Sequence, residues 1–299
     1  MGQLYEKVRT FIYRNARPLD LARFRYHFES GSREEVLTIL SFYQNIDGSF
    51  GYGLETDTPN PDSAPAQVYK AIKILKEIDF HEISHPIMKG ILNFLENGKC
   101  FDGHFWYTGL KSNHDYNPTA ALAGFAVRFA DKESKLYETG RRIVKEAYES
   151  LVFDNWKDDV NTVCCYIQML DYLKDAKETD IVDLIVLEIR LRDIVKRTIT
   201  QDKEKWNGGY TCRPSQYFNS RDSIFYKDNK EIADYECKFI YDKFIYGTQL
   251  TDCPYRIPGI QVGHSEKWAV SKIWQKSEIN ITNLLYLKNM VKNYPLIDY

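Results

Sequence analysis

What is missing from this sequence narrows it first. No apolar run approaches the roughly 18–20 residues that a membrane-spanning helix needs, so no transmembrane segment is expected. The first twenty residues carry Lys7, Arg9, Arg14 and Arg17 and lack the uninterrupted apolar stretch of a secretory leader. The expectation is a soluble, cytoplasmic protein. A surplus of either charge is also missing: 40 Lys and Arg stand against 42 Asp and Glu, a net charge of −2. That balance leaves no basic footprint for nucleic acid or an anionic membrane. Cysteines are few: Cys100, Cys164, Cys165, Cys212, Cys237 and Cys253, none in a CxxC pair and two adjacent. In a chain this long they form no disulfide framework and read as buried, reduced, small apolar residues.

Aromatics, by contrast, abound, with 22 Tyr, 16 Phe and 5 Trp in 299 residues. Several stand in polar, glycine-bearing loops, where helical core packing does not account for them. "QNIDGSF" ends at Phe50 and "GKCFDGHF" at Phe105; both hold Asp-Gly-x-Phe. "VFDNWKDD" places Trp156 similarly, "EKWNGGY" ends at Tyr210, and "GHSEKWAV" offers Trp268. These aromatics are 55, 51, 54 and 58 residues apart, a period that points to a repeat architecture.

The flanks repeat with the loops. Val36, Ile39, Leu40 and Tyr43 share one helical face before the first loop, as do Ile87, Ile91, Phe94 and Leu95 before the second. Ile143, Ala147 and Leu151 precede the third. A second apolar run follows each loop from a polar or proline-bearing start: Val68, Ala71, Ile72 and Leu75; Leu122, Phe125 and Phe129; Val163, Ile167 and Leu170; Leu284, Leu287 and Met290. "PLDLARFRYHFE", Pro18 to Glu29, predicts a further helix. The unit is helix, glycine-aromatic loop, helix, and one such hairpin must stack on neighbours to bury its faces. About six hairpins suit a closed double ring. The segment near 205–230, "RPSQYFNSRDSIFYKDN" included, departs from the repeat as an irregular insertion before the helical run "EIADYECKFIYDKFIYG".

The loop pattern resembles the glycine-aromatic repeat of the prenyltransferase and squalene–hopene cyclase superfamily. Leu40, Gln44, Gly48 and Phe50 match it well; Gly103 with Phe105, and Gly208 with Tyr210, match in part. "KWAVSKIWQKSEINITNLLYLKNM" looks like the last such repeat in bacterial proteins of this type. The resemblance spans most of the chain. It implies one all-α domain over 1–299, an α/α toroid whose inner helices surround a cavity. The superfamily's catalytic signatures are not reproduced: no Asp-x-Asp-Asp and no DDxxD occur, and Asp158-Asp159 is the sole Asp pair. Asp252-Cys253 with His264 has the wrong spacing for the zinc site of protein prenyltransferases, so no metal site is assigned and no motif names a cofactor.

In a closed ring the loops before the inner helices meet at one mouth. That brings together Glu55, Asp57, Asp62, Ser63, Asn117, Asp158, Asp159, Asn161 and Thr162, beside positive helix N-termini. Glu55, Asp57 and Asp159 are the candidate acid–base residues; Asp62 and Ser63 read equally as helix caps. Candidate substrate contacts are Asp62, His104, Trp106, Tyr107, Asn117 and Asn161, with Arg213 and Tyr217 in the insertion and Trp268 and Trp274 near the end. The blander reading of His104 to Tyr107 is that Phe105 packs between helices while its neighbours face solvent. His114 and Asp115 beside Asn117 read as a turn and cap. Three functions follow, each with a small-molecule partner, apolar or sugar, or with none: an isoprenoid-processing enzyme with an aromatic cavity, a carbohydrate-active enzyme with a carboxylate pair, and a binding or scaffold protein.

Overall fold

A computed structural model of the chain describes residues 2–56, 60–107, 115–153, 159–207, 211–246 and 265–291, without the side chains of 207, 244–246 and 265–270. Among these residues the protein is helical, with no strand: α1 Gly2–Asn15, α2 Pro18–Phe28, α3 Arg33–Ser41, α4 Pro65–Glu77, α5 Pro86–Asn97, α6 Thr119–Phe129, α7 Lys135–Phe153, α8 Val160–Ala176, α9 Leu184–Thr198, α10 Lys230–Tyr246 and α11 Ser265–Met290. Short 3₁₀ turns at Lys203–Asn207, Pro214–Gln216 and Lys227–Asn229 occupy the expected insertion. No described helix is long and apolar enough to cross a membrane.

The backbone falls into two compact units. Unit 1 comprises Met1–Ile39 and Val195–Tyr299, and unit 2 Leu40–Ile194. The periodic residues found in the sequence are the ones that are buried. Val68, Ala71, Ile72 and Leu75 in α4 and Ile87, Ile91, Phe94 and Leu95 in α5 are each at most 2% exposed. Unit 2 is organised on α6, which packs against α7 and α8 and touches α4 and α5. Its composition explains the role: "TAALAGFA" places small residues on every face, and Thr119 to Val127 are all buried. A β-carbon on Gly124 would lie 2.8 Å from Met169 Cα, so only glycine permits the close approach of α6 to α8.

In unit 1, α11 packs on α1, α2 and α10. Glu29 at the end of α2 accepts hydrogen bonds from Tyr13 Oη at 2.6 Å and Arg9 Nε at 2.8 Å, both on α1. Asp20 is fully buried yet paired, receiving Arg17 Nε at 2.8 Å and Arg23 Nη1 at 3.2 Å. A buried carboxylate tolerates desolvation only with such partners.

Candidate functional site

The glycine-aromatic loops of unit 2 are small stitched hairpins. In the first, Gln44 bridges to Phe50 and Asn45 N donates to Ser49 O at 2.8 Å. Gly48 sits at φ +90°, and a β-carbon there would meet Gly90 O on α5 at 1.9 Å. Gln44 Nε2 donates to Gly48 O at 3.0 Å and to Ile87 O at 3.1 Å, tying the loop to α5. Phe50, fully buried, anchors it to the core. The chain then runs to α4, where Gln67 Oε1 accepts the backbone N–H of Glu55 at 2.7 Å. The acidic segment is thereby held beside the first turn of α4.

The second hairpin is one residue shorter: Phe101 bridges to Trp106, and Asp102 Oδ1 accepts the N–H groups of His104 and Phe105. Shortening moves the core aromatic from Phe105 to Trp106. Trp106 is 1% exposed, stacks on Phe101 at 4.8 Å, and donates Nε1–H to Leu95 O at 3.2 Å. Its backbone N–H donates to Thr119 Oγ1 and its carbonyl accepts from the same hydroxyl, both at 3.1 Å. That two-way clasp fixes the start of α6.

These constraints bring the N-terminal ends of α4, α6 and α8 to one cluster. Tyr69, on α4, shares a side-chain hydrogen bond with Cys165 of α8. Cys165 Sγ donates to Asn117 Oδ1, just ahead of α6, at 3.5 Å. Asn117 N–H donates to Asp115 Oδ1 at 2.9 Å. The charge of Asp115 is felt by Cys165, that of Asp159 by Cys164, and that of Glu55 by Tyr69; Lys73 faces both thiols. Phe105 packs on Tyr116 at 5.1 Å, and Tyr116 on Tyr166 at 5.8 Å. Tyr69, Tyr116, Asn117 and Cys164 are half-buried, Asp115 is exposed and Cys165 is buried.

The electrostatics of the cluster favour neutral groups. Burial pushes the Cys164 thiol up to about 11 and raises Cys165 and the Tyr69 phenol well above their ordinary values. All three are uncharged at neutral pH. At the exposed lip, the surrounding protein raises the Asp115 carboxyl, the N–H of Asn117 opposes that rise, and the charge of Asp159 adds to it. Asp159 itself is the N-cap of α8, its Oδ2 accepting Thr162 N–H and Oγ1–H, both at 2.8 Å.

Of the residues singled out in the sequence, Glu55, Asn117 and Asp159 therefore belong to this cluster. Asn161 is exposed on the first turn of α8. Others are corrected. Asp62 is not a cap: the N-cap of α4 is Ala64, with no side-chain bond, and Asp62 is exposed, its N–H donating to Asn60 Oδ1. Ser63 instead ties Asn45 to Asp47. Trp106 is core and unavailable to a ligand. His104 is 64% exposed in its side chain and pairs with Glu146 of α7 at 3.0 Å. Tyr107 is half-buried, its hydroxyl 3.4 Å from Lys99 O.

The insertion residues are corrected too. Arg213 is 2% exposed in unit 1, its guanidinium over the rings of Phe239 at 4.6 Å and Trp206 at 5.1 Å. Tyr217 is buried and shares a 2.8 Å hydrogen bond with Thr198. Both build the core rather than a solvated loop. Among the described residues, Trp206 is fully buried at this repeat and donates Nε1–H to Thr200 O at 2.8 Å. Trp274 is half-buried, with the Arg17 guanidinium 5.5 Å from its ring. Asp57, His114, Trp156, Asp158, Tyr210, Cys253, His264 and the side chain of Trp268 lie outside the described residues.

Tyr69 and Cys165 are the members that sequence reasoning missed. Tyr69 follows Val68 on the apolar face of α4, and Cys165 looked like one more small core residue. Comparison with family models, curated proteins and solved structures finds no match to this chain.

Proposed function

We propose that unit 2 carries the substrate site of an isoprenoid-processing enzyme, at the N-terminal ends of α4, α6 and α8. The finer architecture implied by the repeat, an α/α toroid, is part of the same proposal. The observation that carries it is the makeup of the cluster: a phenol and thiols held neutral by burial, continuous with the Phe105–Tyr116–Tyr166 rings, with the Asp115 and Asp159 carboxyls beside them. A soft aromatic wall suits an apolar, cation-prone chain. In this reading Asp115 and Asp159, with Glu55, supply the groups that deliver or remove a proton.

One observation favours a sugar instead. The charge of Asp159 helps raise the Asp115 carboxyl, so two carboxyls lie near one another, the groups that glycoside hydrolysis uses. A single panel separates the readings. Thermal shift with linear isoprenoids of increasing length and with neutral oligosaccharides should show stabilisation by isoprenoids only, rising with chain length. Asp115→Asn should abolish product formation from the bound isoprenoid, followed by gas chromatography. Stabilisation by oligosaccharides alone would move the assignment to the carbohydrate reading, and by neither to the binding or scaffold reading.

A further inference from the structure

The helix α9 is apolar on two opposite faces. In its run "LIVLEIRLRDI", Leu187, Leu191 and Ile194 are fully buried and pack the helix onto the protein. On the other side Ile185 and Ile189, one turn apart, are 72% and 60% exposed, and Val186 beside them is 36% exposed. Arg190 Nε donates to Leu151 O at 3.1 Å, which holds this part of α9 to the end of α7, where Phe153 is 73% exposed. A helix that is apolar all round is ordinarily covered all round. We propose that a second copy of this chain supplies the cover: the protein self-associates through α9, with the two helices antiparallel about a two-fold axis near Ile185 and Ile189.

Size and charge both match a copy of the same surface. Ile185, Val186, Ile189 and Phe153 together expose on the order of 400 Å² of apolar surface, the scale of the largest such patch on a typical monomer. A standard interface takes about 800 Å² from each partner, a little over half of it apolar. One patch therefore supplies the apolar part of one half of an interface, and a two-fold axis sets it against an identical patch. The two ends of the helix carry unlike charge. Exposed Asp183 caps the N-terminal end, its Oδ1 accepting the N–H groups of Ile185 and Val186 at 2.9 and 3.1 Å. Exposed Lys196 stands in the last turn, two turns beyond Ile189 on the same face. Antiparallel packing carries each Lys196 toward the acidic end of the other copy, whereas parallel packing would set like charges together.

Sedimentation equilibrium of the chain from about 1 to about 100 μM, the range in which interfaces of this size associate, tests this. Wild type should be dimeric at the upper end. Ile185→Lys combined with Ile189→Lys should weaken the dimer at least about a hundredfold, because each substitution acts twice across a two-fold axis. Lys196→Glu should weaken it about fivefold. Phe42→Lys, at a position 74% exposed elsewhere on unit 2, should leave it unchanged. A wild type that stays monomeric at about 100 μM overturns the proposal. So does a dimer that survives the double variant, or one that Phe42→Lys weakens as much. If the double variant does not fold, Lys196→Glu decides, and a dimer it leaves unweakened overturns the antiparallel arrangement.

Discussion

Replacing Glu236 by glutamine should flatten the pH dependence of stability in unit 1. Glu236 lies on α10 with no exposed surface, and its Oε2 and Oε1 accept the N–H and Oγ–H of Ser215 at 2.8 and 2.6 Å. Burial is the largest influence and raises its carboxyl from the ordinary 4.5 to about 7, against the lowering by Ser215, Arg213 and Tyr286. A carboxyl that holds its proton more tightly when folded contributes stability that is fully present below about 4.5 and is lost as pH rises through about 7. The gap corresponds to about 3 kcal/mol, a large share of a domain's stability. Urea unfolding at pH 5, 6, 7 and 8 measures it, with wild type and Glu236→Gln compared at each pH so that other titrating groups cancel. Wild type should lose about 2.5 kcal/mol relative to the variant between pH 5 and 8, the rest of the gap lying below pH 5. Equal slopes for the two proteins would refute the reasoning.

Three further expectations concern unit 2, each read by chemical denaturation. Gly48→Ala forces a β-carbon to within 1.9 Å of Gly90 O at a φ of +90°, and should cost about 2–4 kcal/mol. Trp106→Ala empties a core position and strands Leu95 O, for a loss of about 3–5 kcal/mol, whereas His104→Ala, two residues away on the surface, should stay within about 0.5 kcal/mol of wild type. Asp159→Ala removes the cap of α8 and should cost about 1 kcal/mol; a larger loss would mean the carboxylate supports more than Thr162.

Periodicity made the helices legible. The runs in α3 to α8 and the end of α11 were visible because burial repeats every three to four residues along one face. The first glycine loop was equally legible, since Gln44, Gly48 and Phe50 each answer a local demand: a stitch, a positive φ and a plug. The second loop was misread by one residue. Phe105 keeps the Asp-Gly-x-Phe register, but the shorter hairpin hands the plug to Trp106. Arg213 and Tyr217 sit in a polar stretch, and polarity suggested solvent. Their burial depends on Trp206, Phe239 and Thr198, partners that only tertiary packing supplies. Glu55, Asn117 and Asp159 were found because loop acids and amides before helices are few. Tyr69 and Cys165 were not, because a helix pattern assigns a residue to a face but does not say which neighbour that face meets.

Hydrogen–deuterium exchange with and without a linear C15 isoprenoid tests most directly the claim that the cluster at Tyr69, Asn117 and Cys165 is a ligand site. The account predicts slowed exchange in peptides spanning the first two turns of α4, α6 and α8. Saturating isoprenoid that leaves those turns unchanged, or protects only unit 1, would contradict it.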